Sequence, residues 1–199
     1  SLRDDRVPPA KLDRYLTNGL LEAERLERGL HNILTAAGLR SAGRSTRPTA
    51  GNLTDDVRVA VEAMQARALA AEVELHFEPQ RDVSAPRDVA ALQLVLRNLL
   101  DNAIKFSPPG AAIQIALSVD QGYACIVVSD EGRGLNQQEV EQAFQPFFRG
   151  DDKASGGTGL GLHLVQEMMV AHGGSAHVDS PGRDQGSTFT LRLPLEQTS

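Results

Sequence analysis

Four glycines occupy the seven positions from Ser155 to Gly161, and an apolar segment ending at Val165 follows them. Because glycine lets the main chain approach a ligand closely and a helix N-terminus offers N–H donors, this stretch indicates a phosphate-binding site. Neither common phosphate motif fits it. The lysine and Ser/Thr of a P-loop are missing, and the Rossmann spacing would require glycine at the position of Leu162. The preceding run "FFRGDDKA" is not a buried strand, so the rest of the chain must identify the fold.

The size and charge of the chain exclude several classes of function. Its 199 residues can bury one substantial core, and its net charge of -6 argues against nucleic acid as the main partner. Cys125 lies in the apolar run "YACIVVS" and is expected to be a buried structural thiol. No apolar stretch approaches the roughly 20 residues that span a bilayer, and no signal peptide is visible, so we expect a cytoplasmic domain. The missing initial methionine leaves open a longer parent bound to the inner membrane.

The first part of the chain, from about Pro9 to Leu39, is predicted to form one long helix. Its apolar seam requires a partner helix and is typical of a coiled coil or helical bundle. Glycine, proline and small polar residues in "RSAGRSTRPTAGN" then interrupt the periodicity, which predicts a bundle region at 1–44 and a second domain at 45–199. The seam residues, at three- and four-residue steps, are Leu16, Leu20, Ala23, Leu26, Leu30, Ile33 and Ala37.

The second domain is predicted to alternate helices and strands. The expected elements are a helix at about 53–70, the strand "VELHFE", a helix at about 86–106, the strands "AIQIALSV" and "YACIVVS", a short helix near "NQQEVEQAF", a helix at about 158–172, and the strands "SAHVDS" and "STFTLRLP". This order favours an α+β fold, a two-layer α/β sandwich with the helices on one face of a sheet.

The predicted helix "DVAALQLVLRNLLDNAIKFS" carries a polar edge beside its apolar stripe. Asn98, Asn102 and Lys105 fall at i, i+4 and i+7 and therefore share that edge. Asparagine is a mediocre helix former, so two on one face require a reason. Either the edge is a solvated surface, or an amide oxygen binds Mg²⁺, which needs few protein ligands when phosphate also binds it. The apolar stripe comprises Leu92, Leu96, Leu99, Ala103 and Phe106.

The strand "YACIVVS" leads into "DEGRGL", in which Asp130, Gly132 and Gly134 form an Asp-x-Gly-x-Gly sequence. A carboxylate accepts hydrogen bonds and suits a donor such as the exocyclic amine of adenine, and the glycines would let the backbone lie flat against a base. The alternative is an ordinary glycine turn after a strand.

The run "FQPFFRGDDKASGG" mixes aromatic, basic and flexible residues, the composition expected of a lid over a site. Phe144, Phe147 and Phe148 are expected to anchor this lid in apolar contacts. Arg149 and Lys153 are either solvated charges or phosphate contacts.

Together these segments resemble the ATP-binding domain of bacterial sensor histidine kinases. That family has the Bergerat-type fold of gyrase, heat-shock chaperone and mismatch-repair ATPases, a mixed sheet covered by helices on one face. The matching runs are "NLLDNAIKFS", "DEGRG", "FQPFFR", "GGTGLGLHLV" and "GSTFTLRLP", in the family's order between Arg47 and Leu195. The resemblance implies ATP and Mg²⁺ as cofactors, with Asn102 binding Mg²⁺, Asn98 beside it and Asp130 binding the adenine amine.

The resemblance also assigns roles to the remaining motif residues. Asn98, Lys105 and Arg149 would be catalytic, and Lys105 would lie near the phosphates. The other nucleotide contacts would be Gly132, Gly134, Lys153, Gly157, Thr158, Gly159, Leu160, Gly161 and Thr188.

Position 98 distinguishes a kinase from a hydrolase. ATP-hydrolysing relatives carry a glutamate four residues before the magnesium asparagine, where it acts as a general base, whereas Asn98 has no basic oxygen. The domain is therefore expected to hydrolyse ATP slowly and to spare the γ-phosphate for a protein acceptor.

None of the histidines lies in an acceptor setting, with an acidic residue directly after it and a proline further on; they are His31, His76, His163, His172 and His177. Residues 10–40 instead resemble the family's second bundle helix. The resemblance thus implies a phosphoacceptor helix of the same kinase outside this chain, a response regulator receiver domain, and a homodimer through residues 10–40, but no autophosphorylation by this chain alone. Two alternatives stay open: a nucleotide-sensing or scaffold module without kinase activity, and an anti-sigma-factor-type serine kinase.

Overall fold

A computed structural model of the chain describes residues 48–150 and 158–196. The predicted leading helix, the boundary near residue 44, Lys153 and Gly157 lie outside these residues. The helices within them are α1 (Leu53–Ala70), α2 (Val89–Phe106), α3 (Gln137–Gln142) and α4 (Gly161–Ala171). The strands are β1 (Thr49–Asn52), β2 (Glu74–Phe77), β3 (Ser84–Arg87), β4 (Ala112–Asp120), β5 (Tyr123–Asp130), β6 (Ser175–Asp179) and β7 (Ser187–Pro194).

The larger sheet has five strands in the order β2-β4-β5-β7-β6. β2 runs parallel to β4, and every other neighbouring pair in this sheet is antiparallel. β1 and β3 form a separate antiparallel pair. The predicted α+β architecture, with helices against a mixed sheet, is confirmed.

The core lies between the helices and one face of the larger sheet. On β7, Phe189, Leu191 and Leu193 are buried, and the residues between them are half-buried. These side chains share one apolar cluster with Leu99 of α2 and Val165 of α4. α2 packs against both α1 and α4, so it is the central helix of its layer. None of the described helices is both long and apolar enough to cross a bilayer.

The interior confirms two details of the sequence analysis. Cys125 is buried with a free thiol. On α2, the predicted apolar stripe is buried except for Phe106, which is half-buried at the end of the helix.

Two helices begin later than predicted. α2 begins at Val89 rather than at about residue 86, because Arg87 belongs to β3. The Asp88 carboxylate caps α2 by accepting a hydrogen bond from the Ala91 N–H at 3.1 Å. α4 begins at Gly161 rather than at about residue 158.

The pair of β1 and β3, which the sequence pattern did not predict, is held to α1 by a buried ion pair. The Arg87 guanidinium donates to the Asp56 carboxylate at 2.6 Å and to the carbonyl oxygen of Thr49 at 3.1 Å. Any side chain at Gly51 would overlap this guanidinium. Because a buried charge is costly unless it is paired, the contact with Asp56 is what allows Arg87 to lie here.

His172 joins the last turn of α4 to the start of α2. Its Nδ1 lies 2.6 Å from the carbonyl oxygen of Met168, and its Nε2 lies 3.0 Å from the backbone nitrogen of Asp88. A carbonyl oxygen only accepts and an N–H only donates, so the ring carries its proton on Nδ1. At the other end of the pair, a Cβ on Gly161 would lie 2.8 Å from Asn98 Oδ1. α2 and α4 are therefore antiparallel, and both ends of α4 contact α2.

We expect His172→Ala to lower the free energy of unfolding by about 1–3 kcal/mol, because the part-buried Asp88 N–H loses its acceptor. Urea denaturation measures this loss. His177→Ala is the matched control, since that ring is exposed on β6. Equal stabilities of the two variants would contradict a bridging role for His172.

Candidate functional site

The polar edge of α2 forms the first wall of the candidate site. Asn98 donates from Nδ2 to the Leu94 carbonyl oxygen at 2.9 Å, and its Oδ1 faces the start of α4. Asn102, one turn further on, is half-buried, and within the described residues its carboxamide makes no hydrogen bond. Lys105 Nζ lies 4.6 Å from the centroid of the Phe106 ring. The side-chain oxygen of Asn102 is thus available to a ligand.

Asp130, the last residue of β5, forms the second wall. Its Oδ1 accepts hydrogen bonds from the N–H groups of Gly132 at 2.8 Å and Ser187 at 3.3 Å. Burial raises the pKa of Asp130 above its ordinary 3.8, and the two N–H donors act in the opposite direction. Within the described residues the other carboxylate oxygen has no hydrogen bond, so it is free to accept one from a ligand.

The pairing of β5 with β7 places Ser187, and not Thr188, opposite Asp130. Thr188 lies one residue further along β7, where side chains point to the other face of the sheet. Asp130 lies opposite Ser187, and Ser129 lies opposite Thr188. The hydroxyl oxygens of Ser129 and Thr188 are 3.1 Å apart and share a hydrogen bond. The sequence analysis named Thr188 but missed Ser187, whose N–H donates to Asp130. Only the strand register could have identified Ser187, because cross-strand neighbours are distant in sequence.

The loop from Gly132 to Gly134 connects the end of α2 to Asp130. The Arg133 N–H donates to the Phe106 carbonyl oxygen at 3.1 Å. A Cβ on Gly132 would lie 2.6 Å from that same oxygen and 2.7 Å from Asp130 Oδ1. Gly134 has a φ of +62°, and a Cβ there would overlap the Gly182 carbonyl oxygen. Both glycines are therefore required for this close approach of three backbone segments.

The start of α4 forms the third wall. No side chain caps this helix, so the N–H groups of its first turn point out of the helix without a side-chain acceptor. Thr158 is exposed, and its Oγ1 accepts from the Leu160 N–H at 3.4 Å. Leu160 is buried, so only its backbone can reach a ligand. The unpaired N–H groups and the helix dipole favour an anion at this end.

Gly159, just before α4, is packed against the preceding aromatic run. It has a φ of +70°, and a Cβ there would lie 2.6 Å from the Phe147 carbonyl carbon and 2.7 Å from the Phe148 oxygen. Its carbonyl oxygen accepts from the Phe147 N–H at 2.9 Å. Phe147, which follows α3, therefore contacts Gly159, which precedes α4.

The prediction for the phenylalanines was wrong at Phe147. Phe144 packs against the core and Phe148 is half-buried, but Phe147 is 72% exposed. The reason is the backbone, because the hydrogen bond to Gly159 holds Phe147 at a φ of +63°, in the left-handed region. Arg149 is exposed. Of the predicted site residues, Lys153 and Gly157 lie outside the described residues.

These three walls give the site two chemically different ends. Asp130 offers a carboxylate oxygen to a hydrogen-bond donor, and the start of α4 offers N–H donors to an anion. Between them Asn102 offers an amide oxygen, which suits Mg²⁺ that is also bound by phosphate and water. Among the described residues no cluster of three or more His, Cys, Asp or Glu side chains forms a metal site.

Comparison with known proteins identifies a matching family. The family described as histidine kinase-, DNA gyrase B-, and HSP90-like ATPases matches residues 87–197. The sensor-like histidine kinase SenX3 of Mycobacterium tuberculosis is 33% identical over 185 residues, which are 91% of this chain and 45% of SenX3. The chain thus spans less than half the length of this curated relative.

Two solved structures have the same architecture. The mycobacterial sensor histidine kinase MprB superposes with a TM-score of 0.66 at 29% identity, covering 76% of this chain and 99% of that one. The histidine kinase ThkA in complex with the response regulator protein TrrA gives 0.77 at 22% identity, covering 98% of this chain and 54% of that one, and shows likeness of fold. The chain therefore belongs to the histidine kinase-, DNA gyrase B- and HSP90-like ATPase family, as an ATP-binding catalytic domain of the sensor histidine kinase type.

Proposed function

We propose that this domain binds Mg-ATP between α2, the Gly132–Gly134 loop and the start of α4, and transfers the γ-phosphate to a histidine on a helix outside this chain. The observation that carries the proposal is the pair of unsatisfied oxygens on Asp130 and Asn102. Asp130 lies at one end of the site, and Asn102 lies between that end and an uncapped helix. The free oxygen of Asp130 suits an amine, and that of Asn102 suits a cation.

The Asp130 end binds the adenine base. Its free oxygen accepts a hydrogen bond from the exocyclic amine, while the other oxygen stays bonded to backbone N–H groups that fix its position. Gly132 and Gly134 let the loop lie close to the base.

The other end binds the triphosphate. Mg²⁺, when bound, neutralises charge on the phosphate oxygens. The Asn102 oxygen would hold it with Asn98 beside it, and Lys105 adds positive charge. The remaining phosphate contacts, in the order of the chain, are Lys153, Gly157, Thr158, Gly159, Leu160 and Gly161.

Asn98 makes phosphate transfer favourable over hydrolysis. Its carboxamide has no basic oxygen, and its Nδ2 is held by the Leu94 carbonyl oxygen. No group at this position can take a proton from water, so ATP is hydrolysed slowly. Transfer to an aligned acceptor needs mainly positioning and charge neutralisation, which Asn98, Lys105 and Arg149 supply.

The proposal implies partners outside this chain. The acceptor histidine lies on another helix of the parent kinase, and the phosphate then passes to a response regulator receiver domain. The predicted helix at residues 10–40 pairs two copies of the kinase. These reactions take place in the cytoplasm, because ATP and receiver domains are found there.

The test supplies the missing acceptor. The domain is mixed with an acceptor-helix polypeptide from a related sensor kinase and ATP labelled in the γ-phosphate. We expect label on the acceptor histidine, none on this chain alone, and little released phosphate. An acceptor polypeptide with glutamine in place of its histidine is the control. Mg-ATP binding without transfer would support a nucleotide-sensing module instead, and absent binding would support a scaffold.

A further inference from the structure

A buried carboxylate lies behind the segment that carries Arg149. Glu139, on α3, is only 4% exposed. Its Oε2 accepts from the Asn136 N–H at 2.9 Å and completes a capping box. Its Oε1 accepts from the Arg183 guanidinium at 2.9 Å. A capping box occupies only one of the two carboxylate oxygens. Glutamate is rarely this buried unless it is paired, and the contact with Arg183 pairs the second oxygen.

Glu139, Arg183 and Arg133 together form what we call the Glu139 cluster. Arg183 comes from the connection between β6 and β7, and Arg133 comes from the Gly132–Gly134 loop. The Arg133 guanidinium carbon lies 4.5 Å from the centroid of the Phe106 ring, at the end of α2. The cluster therefore brings together α3, the connection between β6 and β7, and the Gly132–Gly134 loop of the nucleotide site.

Gly150 packs directly on this cluster. A Cβ at Gly150 would overlap Glu139 Oε1 and would lie 2.9 Å from Arg133 Nη2. The backbone of Gly150 thus approaches the carboxylate as closely as only glycine permits. Consecutive Cα atoms are about 3.8 Å apart, so whatever fixes Gly150 also fixes the backbone of Arg149.

We propose that Glu139 is a positioning residue for phosphate transfer, which sets the location of Arg149 through its contact with Gly150. The inference rests on the proposed function, in which Arg149 neutralises charge on the phosphate. Glu139 itself touches neither nucleotide nor acceptor. Because a displacement of about 1 Å can slow an aligned reaction about 100-fold, a small shift of Gly150 is enough to affect transfer.

The first test places a methyl group at the contact. We expect Gly150→Ala to lower kcat for transfer to the supplied acceptor helix by about tenfold or more, with the Kd for Mg-ATP within about threefold of wild type. Glu139→Asp keeps the charge but withdraws the carboxylate, so adding it to Gly150→Ala should restore most of the loss. A general structural weakness would not be rescued in this way.

Charge is tested separately. Glu139→Gln keeps the shape and the capping box but weakens the contact with the Arg183 guanidinium, and we expect a similar loss of kcat. Glu141→Gln is the matched control, because Glu141 is exposed on the same helix. Equal effects of the two substitutions, or a wild-type kcat for Gly150→Ala, would overturn the proposal.

A second readout does not depend on phosphate transfer. Trypsin cleaves after arginine, and the Arg149–Gly150 bond must leave the cluster to enter the protease. We expect Gly150→Ala and Glu139→Gln to speed cleavage at this bond by about tenfold, measured by mass spectrometry. If the wild-type domain transfers no phosphate, the proposed function fails, whereas an unchanged cleavage rate shows that Glu139 does not hold Arg149 and overturns the inference.

Discussion

Asp130→Asn is expected to weaken Mg-ATP binding by about 100-fold, or about 2.7 kcal/mol, without loss of folding stability at pH 7. The asparagine Oδ1 can still accept from Gly132 and Ser187, so the loop keeps its shape. The free oxygen of Asp130 is replaced by an NH₂ group, which opposes the adenine amine donor to donor. Calorimetric titration with ATP measures the loss.

The difference in stability between wild type and the same variant should depend on pH in a defined direction. Burial raises the pKa of Asp130 above 3.8, so ionisation of this carboxyl group is less favourable in the folded state than in the unfolded state. Its contribution to stability is complete below 3.8 and is lost as the pH rises through the raised pKa of the folded state. Asparagine does not ionise, so the variant should gain stability relative to wild type across that window.

Urea denaturation of both proteins between about pH 3 and pH 8 follows this difference. Asp179→Asn is the control, since Asp179 is exposed on β6. A stability difference between wild type and Asp130→Asn that stays constant with pH would contradict the assigned cause. If Asp130→Asn binds ATP as tightly as wild type does, Asp130 does not bind the adenine base.

Hydrophobic periodicity was sufficient to predict most of the fold. α1 lies at the predicted residues, and β4, β5 and β7 end within a residue of their predicted ends. The buried positions of β4 and β7 alternate, whereas β5 is a short, mostly apolar run. The pair of β1 and β3 could not be predicted, since "TAGN" and "SAPR" show no alternation and contain glycine and proline. Their pairing depends on Arg87, whose partner Asp56 lies on another element.

The candidate site could be predicted as a set of residues but not as a geometry. The motifs named Asn98, Asn102 and Asp130, and the fold brings them to the walls of the candidate site, whereas Thr188 lies on the other face of β7. The exposure of Phe147 and the burial of Glu139 depend on contacts between segments far apart in sequence, with Gly159 in one case and Arg183 in the other. Local composition carries no signal for either.

The last prediction concerns the cation. Asn102→Leu should abolish the Mg²⁺-dependent part of ATP affinity, a loss of about 100-fold in the presence of Mg²⁺. Leucine has nearly the shape of asparagine and is a better helix former, and within the described residues the Asn102 carboxamide makes no hydrogen bond, so α2 should be undisturbed. Calorimetry with MgCl₂ and with EDTA separates the two parts of the affinity.

Two further variants make this result specific. Asn102→Asp keeps an oxygen ligand and should retain dependence on Mg²⁺, whereas Gln65→Leu adds a leucine to the exposed face of α1 and should change neither part of the affinity. If Asn102→Leu binds ATP as tightly in MgCl₂ as wild type does, the cation is not held at the edge of α2. The triphosphate would then not lie between that edge and α4, and the alignment proposed for Lys105 and Arg149 would have no basis.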